Sequence, residues 1–155
     1  MSATDKFTCE VKLGRLIEAR VFQLKTPGEA REYSDALAAA VRSCSGGSRS
    51  PDPILCADHR PVAIYSQEVA DELARLFGQM NSRLARVAIL AAKSNATLVL
   101  QLGRIIREAN NPRRRLFYDA AQAVEFLRED LSIDESQRAA AFLAEVAQSP
   151  STRPP

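Results

Sequence analysis

Residues 84–92 (LARVAILAA) form a short, almost unbroken apolar run, and Lys93-Ser94-Asn95 separates it from an amphipathic repeat. An apolar run of that length suits a strand covered on both faces. Ser94 is the expected N-cap of a helix reaching about Ala109. On that helix Leu98, Leu102, Ile105 and Ala109 share one face, which Val99 and Ile106 widen. A covered strand feeding an amphipathic helix is half of a βαβ unit, so the chain must build a sheet with helices upon it.

The remaining segments fit around that unit. Phe7–Leu13 alternates strictly, with Phe7, Cys9, Val11 and Leu13 on one side, and Leu16–Leu24 repeats the strand signal with Glu18 and Arg20 directed outward. Gly14-Arg15 between them suits a tight turn, so the sheet begins with a hairpin. Thr26-Pro27-Gly28-Glu29 starts a helix to about Arg42, and residues 43–53, rich in Ser, Gly and Pro, form a loop. Ile54–Ala57 is a short buried strand ending at Asp58-His59-Arg60-Pro61, and Val62–Tyr65 extends it or bridges to a helix that Ser66 caps. Val69, Leu73, Leu76 or Phe77, and Met80 form that helix's buried face.

Asn110-Asn111-Pro112 stops the central helix, and Arg113–Tyr118 is a strand with a basic entry. Asp119 caps a helix to about Asp130, and Ser132-Ile133-Asp134-Glu135 is a capping box opening a last helix to about Ala147. The order is ββαβαβαβαα. It predicts an α/β fold: a mixed five-stranded sheet that opens with an antiparallel hairpin, continues in βαβ units and is covered by helices. Residues 1–147 are expected to form one domain, and 148–155 a disordered polar tail.

Charge and cysteine usage narrow the function classes. A chain of 155 residues can bury a core without disulfide or metal staples. A net charge of +2 supplies no global field for nucleic acid or membrane. Cys9, Cys44 and Cys56 lack metal-ligand spacing and sit in or beside apolar segments, which suits reduced thiols in a cytoplasmic protein. No secretory signal is visible, and no apolar run approaches the roughly 20 residues of a membrane span.

Several segments carry a family resemblance: Ile54–Asp58, the Val87–Ala91 strand, Gln101-Leu102-Gly103-Arg104-Ile105-Ile106-Arg107, and Arg115–Asp119 with Ala123–Leu127. With them the chain resembles the STAS superfold of anti-sigma-factor antagonists and of the cytoplasmic tails of sulfate transporters. More closely, it resembles small bacterial STAS-like proteins grouped with the CRAL-TRIO lipid-binding fold. The resemblance implies a non-enzymatic regulatory module that binds another protein. STAS antagonists follow this strand with Asp-Ser-Ser-Gly or a close relative, which presents a phosphorylatable hydroxyl. Here Asp58 is followed by His59-Arg60-Pro61, and the first serine or threonine is Ser66.

Asp58, His59 and Arg60 lie at a strand's carboxyl end, where open α/β sheets place ligands, and with Ser66 they are the candidate partner-binding residues. The plainer reading is a solvated turn in which Asp58 caps or pairs with Arg60, and it is favoured because loops are polar anyway. An acid–base pair of Asp58 and His59 would need a nucleophile or substrate pocket that the sequence does not show. Ser66 is also the candidate phosphorylation site, since a helix N-terminus tolerates the charge. Ser94 and Asn95 open a helix whose amides could hold an anion, although N-capping explains them as well.

Arg104, Arg107, Arg113, Arg114 and Arg115 stand against one acid, Glu108, and their forks suit an acidic partner. The alternative is a set of solvated charges complementing a helix end. The expected partner is therefore another protein, a second copy of the chain included. Nucleic acid has little support, and no cofactor or metal is implied. The rival expectation is a nucleotide, anion or lipid at the strand carboxyl ends.

Overall fold

The computed structural model describes residues 6–44 and 52–145. Residues 1–5, most of the loop expected over 43–53 and the expected tail at 148–155 lie outside the described residues. β1 (Phe7–Leu13) and β2 (Leu16–Val21) pair antiparallel. β2, β3 (Ile54–Asp58), β4 (Arg86–Leu90) and β5 (Arg114–Phe117) run parallel, and the spatial order is β1-β2-β3-β4-β5. The expected mixed five-stranded α/β fold is present.

Helices α1 (Pro27–Cys44), α2 (Gln67–Met80) and α3 (Ala96–Ala109) cover one face of the sheet. Ile17, Ala19 and Val21, Leu55 and Ala57, and Val87 and Ile89 point into that layer, where Tyr33, Leu73, Phe77 and Leu102 meet them. Helices α4 (Ala120–Arg128) and α5 (Ile133–Ala144) cover the second face. Leu16, Ile54, Cys56, Ala88 and Leu90 there receive Ala123, Leu127, Phe142 and Leu143. Strand alternation divides the core in two, as a sheet covered on both sides requires.

Local chemistry starts and stops these helices as expected at most junctions. Thr26 Oγ1 accepts from the Glu29 amide at 3.1 Å, while the Glu29 carboxylate accepts from the Lys25 amide at 2.8 Å. Ser66 caps α2, Asp119 caps α4, and Ser132 with Glu135 forms the reciprocal capping box of α5. Asn110 adopts the left-handed conformation (φ 55°) that ends α3.

Three expectations are corrected. Leu13 does not share the side of Phe7, Cys9 and Val11. A register shift between Glu10 and Leu13 inserts a bulge, and Leu13 then stands opposite Leu16, on the second face. Glu18 and Arg20 do not face water, because β2 lies inside the sheet beneath α5 and both side chains are buried. The N-cap of α3 is Asn95, whose Oδ1 accepts from the Leu98 amide at 3.1 Å, and Ser94 is exposed one residue earlier.

Candidate functional site

The carboxyl ends of the parallel strands bring together the residues of greatest chemical interest. Asp58, the last residue of β3, is fully buried, and both of its oxygens are occupied. Oδ1 accepts from the Arg60 amide at 3.0 Å and from Arg60 Nε at 2.9 Å. Oδ2 accepts from Arg20 Nε at 2.9 Å and from Arg60 Nη2 at 3.1 Å. Burial alone would raise the Asp58 pKa, but the hydrogen bonds from Arg60 and Arg20 outweigh it and hold the carboxyl below its ordinary value.

The two arginines also reach the end of α5. Arg20 Nη2 donates to the Phe142 carbonyl at 2.7 Å, and Arg60 Nη2 donates to the Leu143 carbonyl at 2.8 Å. Both carbonyls belong to the last turn, where intrahelical partners run out. The Arg20 guanidinium also lies 4.3 Å over the Phe142 ring. Beside it Arg138 grips buried Glu18 with two bonds of 2.8 and 3.0 Å and reaches Glu145 at 2.8 Å. Donating those bonds to Glu18 and Glu145 raises the Arg138 pKa.

Asp58 and His59 are thus not a partner-facing loop; both have no exposed surface. The plainer expectation is met only in the pairing of Asp58 with Arg60: the turn is not solvated, and of the triplet only Arg60 reaches the surface, its side chain 28% exposed. The His59 amide donates to the Leu90 carbonyl at 2.8 Å, continuing the ladder between β3 and β4. Its ring lies edge-on to Tyr33 and Tyr65, with Nδ1 2.8 Å from the Tyr65 hydroxyl. Burial lowers its pKa to about 4, so the imidazole is neutral at neutral pH. A general base must reach the proton it takes, and this ring has no route to a substrate in the conformation described.

The loop beyond Arg60 is fastened to α3. Asn95 Nδ2 donates to the carbonyls of Val62 at 3.2 Å and Ala63 at 2.7 Å. Gln101 accepts from the Tyr65 amide at 3.0 Å and donates to the Tyr65 carbonyl at 2.6 Å. Val62 and Tyr65 point inward, so Ile64 between them is held out in water, 60% exposed. Leu100 on α3, the neighbour of Gln101, is 74% exposed. Ser66 is exposed at the end of the loop, where its hydroxyl accepts from the Val69 amide at 3.2 Å.

The expected arginine cluster does not form one surface. Arg114 and Arg115 are successive strand residues and point to opposite faces. Arg114 is buried over the Phe77 ring and donates to the Phe77 carbonyl and to Asn81 at 3.2 Å each, and burial lowers its pKa to about 10. Arg115 is exposed over Phe126 on the other face. Arg104 pairs with Glu108 and Asp71, and Arg107 and Arg113 remain exposed without an ion pair among the described residues. Among the described residues no group of His, Cys, Asp and Glu has the arrangement of a metal site.

The roles of Arg20, Glu18, Tyr65, Gln101, Ile64 and Arg138 at this site are not evident in the sequence. One signal was present: Glu18 and Arg20 are charges spaced by two within an apolar strand, as a polar patch under a covering helix requires.

The sequence matches no family model and no curated protein. The structure is similar to the crystal structure of an anti-sigma factor antagonist from Mycobacterium paratuberculosis. The TM-score is 0.53 at 17% identity, over 83% of this chain and 99% of that one. The chain thus shares the fold of that anti-sigma factor antagonist. Its mixed sheet and flanking helices are the architecture the resemblance implied. Among the described residues, no helix is long and apolar enough to cross a membrane.

Proposed function

We propose that this STAS-like chain is a non-enzymatic regulatory module that acts in the cytoplasm by docking another protein, or a second copy of itself. The docking edge joins Arg60, Ile64 and Ser66 to Leu100 at the start of α3. The observation that carries the reading is the stitched loop: four hydrogen bonds between the loop and the side chains of Asn95 and Gln101 hold Ile64 in solvent. A preformed loop presents an apolar anchor without the ordering cost a mobile one incurs on binding. The fold of the anti-sigma factor antagonist supports the same class of activity.

Ser66 gives that edge a means of control. Its hydroxyl is exposed at the positive end of α2, so a phosphate there would be favourably placed and would change the charge of the docking edge. Affinity capture from native lysate with wild-type, Ile64→Asp and Arg60→Ala proteins tests the reading. A specific partner retained by the wild type and lost from Ile64→Asp supports it. Identical capture by all three, or none by any, overturns it.

A further inference from the structure

The second face of the sheet holds buried charges under one helix, whereas under the other its charged residues, Arg86 and Arg115, stack on Phe126 at the rim and reach water. Beneath α4 the strands present Ala88 and Leu90, and the helix answers with Ala123 and Leu127. Beneath α5, beside Leu16, Ile54 and Cys56, they present Glu18, Arg20 and Asp58, all buried. A permanent cover over an interior strand normally meets an apolar surface. Buried ion pairs, moreover, add little to stability compared with apolar packing of the same volume. A face with charged residues can return to water when its cover leaves, which a wholly apolar face resists.

We infer that α5 is a displaceable cover and that the face beneath it is a concealed docking surface for an amphipathic helix of another protein. This surface is separate from the edge carrying Ile64 and does not depend on that edge being a docking site. The seated α5 shows what the surface accepts. It takes a cation opposite Glu18, where Arg138 lies, and an aromatic ring under Arg20, where Phe142 lies. It takes the carbonyls of a helix's last turn at Arg20 and Arg60, and an acid within reach of Arg20, where Glu145 stands at 3.7 Å. The matching partner helix therefore places an arginine four residues before an aromatic residue and an acid three residues after it, and ends at the sheet edge.

Hydrogen exchange of the full chain, read residue by residue, tests the displacement without any partner. Amides of residues 136–143 should exchange at least tenfold faster than those of β3 and β4. Arg138→Ala, or the milder Glu145→Ala, should accelerate exchange in α5 at least tenfold further and leave β3 and β4 unchanged, which also shows that the variant is folded. A labelled peptide copying residues 132–145 should bind Arg138→Ala at least tenfold more tightly than wild type. Exchange of α5 at the rate of β3 and β4 in every variant overturns the proposal. So does equal or absent peptide binding once α5 has been shown to open.

Discussion

Arg20 and Asp58 face each other across β2 and β3 as directly registered neighbours, joined through Nε and Oδ2 at 2.9 Å with almost no contact with water. Asp58 is therefore the acceptor on which two guanidiniums converge, and through them the last turn of α5 is tied to the sheet. Removing a carboxylate from such a site leaves buried cations without their counter-charge, which costs about 3 kcal/mol or more. Asp58→Ala should lower the stability by that amount in urea denaturation. Arg20→Met combined with Asp58→Ala should cost less than the two changes summed, because they share one interaction.

Acidification should act first through His59. Its folded pKa is lowered to about 4 by burial, while an unfolded histidine titrates near 6.5. Between those values the unfolded chain takes up a proton that the folded one refuses, so stability falls as pH drops through the window. The loss is on the order of 3 kcal/mol by pH 4, from about 1.4 kcal/mol per pH unit. Asp58, Glu135 and Glu145 have lowered pKa values, so their contributions are present above the ordinary carboxylate pKa and are lost as pH falls below it. Stability measured from pH 7 to pH 3 should thus decline in two stages. A folded His59→Phe variant should lose the upper one and keep the lower.

The two candidates for the start of α3 separate cleanly by mutation. Asn95 supplies a cap bond and two bonds to the loop at Val62 and Ala63, whereas Ser94 stands exposed. Asn95→Ala should cost about 1–2 kcal/mol and speed hydrogen exchange in residues 62–65, while Ser94→Ala should stay within about 0.5 kcal/mol. Thermal unfolding of the two variants side by side is sufficient, and the reverse order would refute the assignment of the cap.

Most of the architecture was legible because it rests on local chemistry. Thr26, Ser66, Asp119 and Ser132 cap helices through side chains two to three residues from the amides they satisfy, and Asn110 stops one through its own backbone. What escaped depends on contacts distant in sequence. Glu18 and Arg20 look solvated when β2 is read alone, since the helix that buries them carries its arginine, Arg138, 120 residues later. Leu13 changes sides through a bulge that its own segment does not announce. Ser94 and Asn95 are equally good caps on residue type, and only the position of the loop at Val62 and Ala63 decides between them. Ile64 sits in an apolar segment, and its exposure follows from Asn95 and Gln101 pinning its neighbours.

Two glycines should respond to the same substitution with opposite signs. Gly14 adopts φ 57° in the hairpin turn, and a Cβ there would lie 2.2 Å from Glu135 Oε2, the atom that accepts from the Arg15 amide. Left-handed backbone costs a side-chain-bearing residue roughly 1–2 kcal/mol, and displacing the Glu135 carboxylate adds to it. Gly14→Ala should therefore destabilise by at least about 2 kcal/mol. Gly78 lies inside α2 with open space where a Cβ would go, so Gly78→Ala should stabilise by about 0.5–1 kcal/mol. Denaturation midpoints of both variants, with equal slopes, are the measurement.

Arg114 and Arg115 are adjacent arginines that should behave as unrelated residues. Arg114 fills space over the Phe77 ring and satisfies the Phe77 carbonyl near the end of α2, so Arg114→Ala removes packing and leaves a buried acceptor unpaired. A cost of about 2–3 kcal/mol follows, of which Arg114→Met should recover the packing share. Arg115 rests over Phe126 at the surface, and Arg115→Ala should cost under about 1 kcal/mol. The same geometry decides which arginines an acidic partner can meet. Salt-dependent retention on an anionic resin should weaken in Arg107→Ala and Arg113→Ala, whose side chains are exposed, and should be unchanged in Arg114→Met. Equal weakening in all three would mean that Arg114 leaves its place over Phe77 to join them, and the division of the basic run between two sheet faces would not hold in solution.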